Sequence, residues 1–209
     1  MRLRNVKNKE EILNGSKYLI KNPEEYMGKW DQLFEKKQPI YIEIGMGKGK
    51  FLIENAIKYP DINFIGIEKY DSVVAKSLPK IPECLTNIVV IRMDALNIDK
   101  VFDKEIERIY LNFSDPWPKV RHSMRRLSSR VFLEKYDKIF KGEKNIYLRT
   151  DNRDLFTFSL ESFSQYGYVL HDINLNLHEI DQPDIITTEY EDKFVEARLP
   201  IYQVVATKE

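Results

Sequence analysis

A short apolar segment that runs directly into three closely spaced glycines constrains the fold of this chain most. Residues 39–44 have the composition of a buried strand, and Gly45, Gly47 and Gly49 precede an amphipathic segment at residues 50–59. A strand, a glycine turn and a helix in this order bring backbone N–H groups close to a ligand. The sequence therefore predicts an α/β fold whose first strand ends at a ligand-binding turn.

The spacing of the glycines excludes two phosphate-binding motifs. A dinucleotide fingerprint has the form G-x-G-x-x-G, but Lys50 stands where its third glycine would fall. A P-loop needs Ser or Thr after Gly-Lys, whereas Phe51 follows here. With Glu43 two residues before the first glycine, the pattern E-x-G-x-G-x-G resembles the first motif of class I S-adenosylmethionine-dependent methyltransferases. The alternative is a tight turn in which Glu43 caps local backbone.

Acidic residues close three successive predicted strands. Glu68 follows residues 63–67 and Asp94 follows residues 87–92, in addition to Glu43 at the first strand. An acid about 20 residues past a glycine loop can accept hydrogen bonds from ribose hydroxyls, of a nicotinamide nucleotide or of S-adenosylmethionine alike. Asp94 can accept from an adenine amino group, or it can cap the following helix. The joint pattern predicts nucleoside binding at this edge.

The segment Ser-Asp-Pro-Trp-Pro-Lys at residues 114–119 closes the predicted fourth strand at residues 109–113. Two prolines within three residues stop a strand, so we expect Asp115 and Trp117 on a stiff, irregular turn. Ligands of open α/β sheets bind at the carboxyl ends of the strands. Asp115 is therefore a candidate site residue; the alternative is a surface loop with a solvated acid and a half-buried Trp.

Basic residues follow this turn in a chain whose formal net charge is +0. Residues 119–130 contain five Lys or Arg residues, one His and no acid. A neutral chain that binds nucleic acid needs a local basic patch of this kind. The alternative is a solvated basic turn. Residues 1–9 carry four more basic residues, which either touch phosphate or form a frayed terminus.

Two later segments add polar candidates. Asp151 follows a fifth predicted strand at residues 145–149, and it is either a site residue or the N-cap of a helix at residues 153–165. Thr188 and Glu191 match a capping box, which is the structural alternative to a role in binding.

In these motifs the chain resembles the bacterial tRNA (guanine-N7)-methyltransferase family, which acts on guanine 46 in the variable loop. The matching segments follow the family's order from about residue 40 onwards: 43–49, Glu68, Asp94, 113–119, 121–127, 150–152 and 187–194. The F-S-D-P-W-P-K and T-x-Y-E-x-K-F motifs are the most specific. The resemblance implies a class I, Rossmann-like, three-layer α/β fold with a mostly parallel seven-stranded sheet and an antiparallel last strand.

The resemblance also implies S-adenosylmethionine as cofactor, tRNA as substrate and Asp115 as the catalytic residue. The cofactor positions are Glu43, Gly45, Gly47, Gly49, Glu68, Asp94 and Asp115. The substrate positions are Lys119, Asp151, Thr188, Glu189, Tyr190 and Glu191. The RNA-contacting positions are Arg121, His122, Ser123, Met124, Arg125 and Arg126. No metal is implied. Val120 and Met124 stand where the family often has basic residues, which thins the patch.

The composition favours one soluble domain. The chain has 209 residues with 43% hydrophobic content, and it lacks an apolar run long enough to span a membrane. The N-terminus has no apolar signal region, and the single Cys84 fits a reducing cytosol. We predict one cytoplasmic domain, 1–209, in which a basic arm and short helices (1–37) precede a catalytic core (38–209). The sequence allows a monomer or a homodimer.

Three other functions fit the sequence less well. Methyltransferases of exocyclic amines carry a [D/N]-P-P-[Y/W/F] turn at the same strand end, and the order D-P-W-P at residues 115–118 disfavours them. A nicotinamide-dependent oxidoreductase is supported only by Glu68 and the glycine turn. A tRNA-binding protein without catalysis is disfavoured by the intact series of acids.

Overall fold

The computed structural model describes residues 6–179 and 184–209, so the first residues of the predicted basic arm lie outside the described part. The strands are β1 (Leu19–Ile20), β2 (Ile40–Ile44), β3 (Asn63–Glu68), β4 (Ile88–Arg92), β5 (Ile106–Asn112), β6 (Lys144–Thr150), β7 (Val169–Asn174) and β8 (Tyr202–Lys208). The α-helices are α1 (Lys9–Gly15), α2 (Lys50–Lys58), α3 (Asp71–Ser77), α4 (Arg130–Ile139), α5 (Arg153–Gln165) and α6 (Glu191–Glu196).

The described strands form one eight-stranded sheet in the order β1-β4-β3-β2-β5-β6-β8-β7. The first six strands in this order are parallel, and β8 runs antiparallel to both β6 and β7. The predicted mixed sheet with an antiparallel last strand is confirmed. The predicted count of seven strands is corrected to eight, because Leu19–Ile20 pairs with β4. A two-residue strand is too short to show a periodic pattern in the sequence.

Helices cover both faces of the sheet, which gives three layers. One face carries the isoleucines of β2 and packs against α4 and α5, through residues such as Phe132, Tyr136 and Phe163. The other face packs against α1, α2 and α3, through residues such as Leu13 and Leu52. The parallel strands are buried on both faces, as expected for an α/β sheet between two helical layers. Within the described residues, no helix is both long and apolar enough to cross a membrane.

The predicted N-terminal extension contributes to this same sheet and to its core. Besides β1, it places Trp30 in the larger apolar cluster with no exposed surface. The indole N–H of Trp30 donates to the carbonyl of Val101 at 2.8 Å, and its backbone N–H donates to Glu105 at 2.9 Å. A buried indole that finds a hydrogen-bond partner stabilises the fold without leaving an unpaired polar group.

Candidate active site

The carboxyl ends of the parallel strands bring the predicted acids to one edge of the sheet. Strand order reverses between the neighbours β2 and β5, which is where ligands of open α/β sheets bind. Glu43 lies near the end of β2, Glu68 ends β3, and Asp94 follows β4. Asp115 follows β5, and Asp151 follows β6. The structure thus places the three acids predicted to close successive strands at one edge, together with Asp115 and Asp151.

Glu43 and Asn112 join the two strands at the reversal point. Asn112 donates to Glu43 Oε1 at 3.0 Å, while the buried Oε2 has no hydrogen-bond partner among the described residues. Burial raises the pKa of the Glu43 carboxyl to about 7, although the Asn112 hydrogen bond and the charge of Arg149 oppose the rise. A buried, unpartnered carboxylate oxygen is suited to a cationic donor on a ligand. Asn112 was not predicted as a site residue, although a lone amide in an apolar strand was an available signal.

The glycine loop leaves open space beside Glu43. Gly45 and Gly47 have φ angles of 80° and 57°, and a Cβ added at either position would meet no atom of residues 6–179 or 184–209 within 4 Å. The loop is held against β3, where Gly66 is required because a Cβ there would lie 2.1 Å from the sulfur of Met46. Gly49 has a different role, since its Cβ would lie 3.3 Å from the Cβ of Ser77. The loop therefore offers a cradle for a small ligand group at Gly45 and Gly47.

Glu68 and Asp94 both bind local backbone groups. Glu68 accepts from the backbone N–H groups of Lys69 at 2.8 Å, Tyr70 at 3.0 Å and Gly47 at 3.3 Å, which ties β3 to the glycine loop. Burial raises the pKa of Glu68, and the nearby Asp115 charge adds to the rise. Asp94 caps the turn Ala95–Lys100 by accepting from the Leu96 N–H at 3.0 Å. The capping alternative is thus confirmed for Asp94; its predicted adenine contact stays a prediction.

The loop at residues 113–119 has a strained backbone. Phe113 and Trp117 have positive φ angles of 50° and 41°, which for residues with a Cβ costs about 1–2 kcal/mol each. Asp115 is exposed, and within the described residues its side chain forms no hydrogen bond or ion pair. The loop thus presents a free carboxylate at the sheet edge. An exposed Asp115 beside a half-buried Trp117 agrees with both interpretations of the loop, so the role of Asp115 stays a prediction.

A C-terminal segment at residues 187–194, called the strap below, is fastened to the region of the glycine loop. Lys50 donates to Thr187 Oγ1 at 2.9 Å and to both carboxylate oxygens of Asp192 at 2.7 and 2.8 Å. Lys80 forms an ion pair with Glu189, and Lys48 lies 4.0 Å from the same carboxylate. These lysines were not predicted as site residues. They show that Glu189 is engaged with the protein in this structure.

The capping box predicted in the strap is confirmed. Thr188 Oγ1 accepts from the Glu191 N–H at 2.9 Å, and the Glu191 carboxylate accepts from the Thr188 N–H at 3.3 Å. Glu191 has no exposed surface; it also contacts His178 Nε2 at 2.7 Å and lies 3.6 Å from Arg149 Nη1. The structure therefore places the Glu191 carboxylate inside the protein among protein partners; its predicted contact with the substrate stays a prediction. His178 was not predicted.

Asp151 and Tyr190 face the same edge from two segments. The helix α5 is capped by Asn152, whose side chain accepts from the Leu155 N–H at 2.8 Å, so the N-cap interpretation of Asp151 is wrong by one residue. Burial raises the pKa of the Tyr190 hydroxyl, and the nearby Asp151 charge adds to the rise. The Tyr190 ring is 48% exposed and lies 5.2 Å from the Phe113 ring. An exposed aromatic ring and a carboxylate thus lie side by side.

The predicted RNA-contacting segment divides into exposed and buried positions. Arg121, Met124 and Arg125 are exposed on the turn Val120–Arg125, with His122 and Ser123 half-buried. Arg125 lies 4.9 Å from the Trp117 ring centroid. Arg126 differs, because it is only 8% exposed and its guanidinium donates to two backbone carbonyls. The structure thus corrects its predicted position on the RNA-facing surface.

A cavity of about 340 Å³ lies on one face of the sheet, apart from the predicted site residues. It surrounds Arg108, whose guanidinium carbon lies 4.5 Å from the Tyr41 ring centroid and 4.6 Å from that of Tyr147. Its lining includes none of the predicted cofactor, substrate or RNA positions. The strand-end edge, and not this cavity, is therefore the candidate active site.

Solved structures of methyltransferases share the fold. A 16S rRNA (adenine(1408)-N(1))-methyltransferase from Catenulisporales acidiphilia matches with a TM-score of 0.63 at 14% identity, covering 92% of this chain and 95% of that one. A precorrin-6y C5,15-methyltransferase from Geobacter metallireducens matches with a TM-score of 0.58 at 17% identity, covering 82% and 81% of the two chains. At these identities the similarity shows the fold alone.

The fold and the strand-end site define a class I, Rossmann-like methyltransferase, and a family model described as "Putative methyltransferase" matches residues 37–204. A tRNA (guanine-N(7)-)-methyltransferase from Geobacillus sp. (strain WCH70) is 51% identical over 197 residues, covering 93% of this chain and 90% of the relative. The corresponding proteins of Staphylococcus haemolyticus and Geobacillus kaustophilus are 48% and 46% identical, with 97% of each relative covered and 99% and 100% of this chain. The chain belongs to the tRNA (guanine-N7)-methyltransferase family.

Proposed function

We propose that this protein transfers the methyl group of S-adenosylmethionine to N7 of a guanine in the variable loop of tRNA, in the cytoplasm. The observation that carries the proposal is the similarity over the whole chain to tRNA (guanine-N(7)-)-methyltransferases at 46–51% identity. The specific motifs at residues 113–119 and 187–194 support it, since they lie at the same edge of the fold.

The residues at the ends of β2, β3 and β4 fit the cofactor. The unpartnered Oε2 of Glu43 would accept from its amino group, and the open space at Gly45 and Gly47 would hold its amino-acid part. The remaining acceptor capacity of Glu68 would bind the ribose hydroxyls, with Asp94 near the adenine. When bound, S-adenosylmethionine supplies the methyl group on a positively charged sulfur.

Asp115 would act by orientation and charge. N7 of guanine has a free lone pair, so no proton needs to be removed before the methyl group is transferred. The protein's task is to align the reacting atoms at close approach. As guanine becomes cationic, a fixed carboxylate at Asp115 stabilises the developing charge. We therefore assign Asp115 as an orienting and stabilising residue and not as an obligatory base.

Asp151 is the residue that we assign to the guanine edge. Its carboxylate can accept from the N1–H and amino groups of guanine, a pair of donors that the same edge of adenine does not offer. Tyr190, exposed beside Asp151, offers a ring against which a base can stack. Lys119 and Thr188 complete the substrate side. Glu191 is fully buried, so we assign it to the internal structure of the strap.

The exposed part of the basic segment would hold the phosphate backbone. Arg121 and Arg125 project from the turn that follows the loop of Asp115, where His122 also packs against Trp117. Drawing a variable-loop guanine out of its tertiary contacts costs a few kcal/mol. Contacts to phosphate supply part of this free energy and make binding weaker at higher salt.

The first test is transfer of radiolabelled methyl from S-adenosylmethionine to unmodified tRNA, compared with a tRNA whose variable-loop guanine is replaced by adenine. We expect label on the first tRNA only, because adenine does not offer the pair of N1–H and amino donors from which the Asp151 carboxylate would accept. Label on both tRNAs would exclude the variable-loop guanine as the methylated base. Nucleoside mass spectrometry then identifies the methylated atom, and a methylated exocyclic amine would overturn the N7 assignment.

Replacement of Asp115 by Asn tests its role. We expect Asp115→Asn to lower kcat by about 100-fold while cofactor binding is largely kept, since a neutral amide stabilises the cationic product poorly. The measurements are single-turnover transfer and calorimetric titration with S-adenosylmethionine. Full turnover with unchanged cofactor affinity would exclude a central role for Asp115.

A further inference from the structure

Arg126 contacts the backbone of the loop at residues 113–119 from inside the protein. Its Nε donates to the carbonyl of Pro116 at 2.9 Å, and its Nη2 donates to the carbonyl of Trp117 at 3.2 Å. Its guanidinium carbon lies 4.4 Å from the ring centroid of Phe158 in α5. A guanidinium presents its donors in a rigid fork, so one side chain fixes two successive carbonyls relative to α5.

The loop needs these contacts because, within the described residues, no hydrogen bond or ion pair holds the Asp115 side chain. The Asp115 side chain is exposed and forms no hydrogen bond or ion pair within the described residues, so the backbone alone sets its position. Phe113 and Trp117 on either side hold left-handed conformations, which persist only where the surroundings impose them. Before Asp115, the Phe113 N–H donates to the Arg149 carbonyl at 2.8 Å. After Asp115, the two bonds come from Arg126.

We propose that Arg126 is a positioning residue for Asp115, and that it does not contact the RNA. It belongs to the segment that follows the turn Val120–Arg125, so it connects the RNA-facing turn directly to the catalytic loop. Its neighbour Arg125 is exposed and serves the RNA. Two adjacent arginines thus have different roles: Arg125 contributes to affinity for tRNA, and Arg126 contributes to the rate of transfer. This inference rests on the proposed function for its kinetic part.

The kinetic test compares three single substitutions by Met, which keeps bulk and removes the charge and the donors. For Arg126→Met we expect kcat to fall about 10-fold or more with KM for tRNA within about 2-fold, the signature of a lost transition-state contribution. For Arg125→Met we expect the KM for tRNA to rise several-fold with kcat largely kept. Lys141→Met is the control; Lys141 is exposed, lies outside the basic segment at residues 119–130 and pairs with Glu107 at 3.2 Å. We expect it to change neither value.

Two further variants separate positioning from a general loss of structure. Arg126→Lys keeps the charge but not the fork, so kcat should still fall; full activity in this variant would overturn the proposal. Arg126→Ala should regain part of its kcat on addition of millimolar guanidinium chloride, but not of sodium chloride at equal ionic strength. A raised KM with unchanged kcat in Arg126→Met would instead make Arg126 an RNA contact.

Fluorescence tests the loop without relying on activity. The chain has two tryptophans, of which Trp30 is fully buried, so quenching by acrylamide reports mainly on Trp117. We expect Arg126→Met to increase quenching and Lys141→Met to leave it unchanged. Unchanged quenching in Arg126→Met would contradict the proposal that Arg126 holds the loop in place. If the unaltered protein transferred no methyl to tRNA, the proposed function would fail, while this measurement would still decide the role of Arg126 in the loop.

Discussion

Glu43 is a buried carboxyl group that lowers the stability of the free protein. It is 1% exposed, because the β2–β5 reversal point buries it beside Asn112. In the part of the chain that the structure describes, one of its oxygens has no hydrogen-bond partner. A group of this kind destabilises the free protein and is retained at sites where a ligand completes its contacts. The carboxyl is thus best explained by a cationic ligand group.

We expect the stability of the free protein to fall as pH rises. The pKa of Glu43 is raised from 4.5 to about 7 in the folded state, so folding takes up a proton between these values. The stability that the protonated Glu43 carboxyl allows is fully present below pH 4.5, and it is lost as pH rises through 7 and the buried carboxyl ionises. Glu43→Gln should therefore raise the free energy of unfolding above pH 7 by up to about 3 kcal/mol, and it should weaken cofactor binding.

Urea unfolding at several pH values and calorimetric titration with S-adenosylmethionine measure these two effects of Glu43→Gln. Glu143→Gln, at an exposed position, is the control and should change neither. Below pH 7, cofactor binding to the unaltered protein should release a proton, which calorimetry in buffers of different ionisation enthalpy detects. Equal stability of Glu43→Gln and the unaltered protein at pH 8 would contradict the assignment.

At the scale of elements, the strap is a short segment whose shape depends on one buried carboxylate. Glu191 accepts from the Thr188 N–H, contacts His178 at 2.7 Å and lies near Arg149. The exposed Tyr190 sits inside this arrangement. The strap therefore depends on partners that lie in β6 and just after β7.

We expect His178→Phe to raise the KM for tRNA about 5-fold or more with little change in cofactor affinity, because a buried carboxylate that loses a partner costs about 1–3 kcal/mol. His178→Gln, which keeps a donor near the position of Nε2, should restore most of the loss. His171→Phe is the matched control, since His171 is an exposed residue that contacts Thr207. Steady-state kinetics with each substrate varied in turn measures the effect; identical kinetics for the two Phe variants would contradict it.

At the scale of the whole molecule, the N-terminal segment belongs to the sheet and to the core. We expect Trp30→Ala to lower the free energy of unfolding by about 3–5 kcal/mol, since it empties a fully buried site. Trp117→Ala, at a half-buried position, should lower it by at most about 1 kcal/mol. Urea denaturation followed by far-UV circular dichroism compares the two. Equal losses would mean that the segment around Trp30 is not part of the cooperative core.

The parts of the molecule that the sequence predicts are those determined locally. The glycine loop and the acids at the strand ends follow from apolar runs with polar residues just after them, and the structure places all of them at one edge. The capping box of Thr188 and Glu191 is also a local pattern, and it is confirmed.

The features that the sequence did not predict depend on distant partners. Arg126 is buried because Phe158 and two carbonyls of a preceding loop surround it, and no pattern within residues 119–130 distinguishes it from Arg125. Leu19–Ile20 is a strand only because β4 has a free edge beside it. The sequence allows Asp151 as the helix cap in place of Asn152, because helix ends are uncertain by a residue or two in any sequence pattern.

The fastening of the strap by Lys50 has a consequence for the two ligands together. One ammonium group at the start of α2 holds both Thr187 and Asp192, so the base of the glycine loop and the substrate segment share a contact. Coupling free energies between two sites are reciprocal. If binding of the nucleobase shifts the strap and thereby increases the affinity for the cofactor, then bound cofactor must increase the affinity for the nucleobase by the same factor. The affinity for the cofactor and the selectivity for the nucleobase are then linked by one coupling free energy. A substitution at Lys50 changes both.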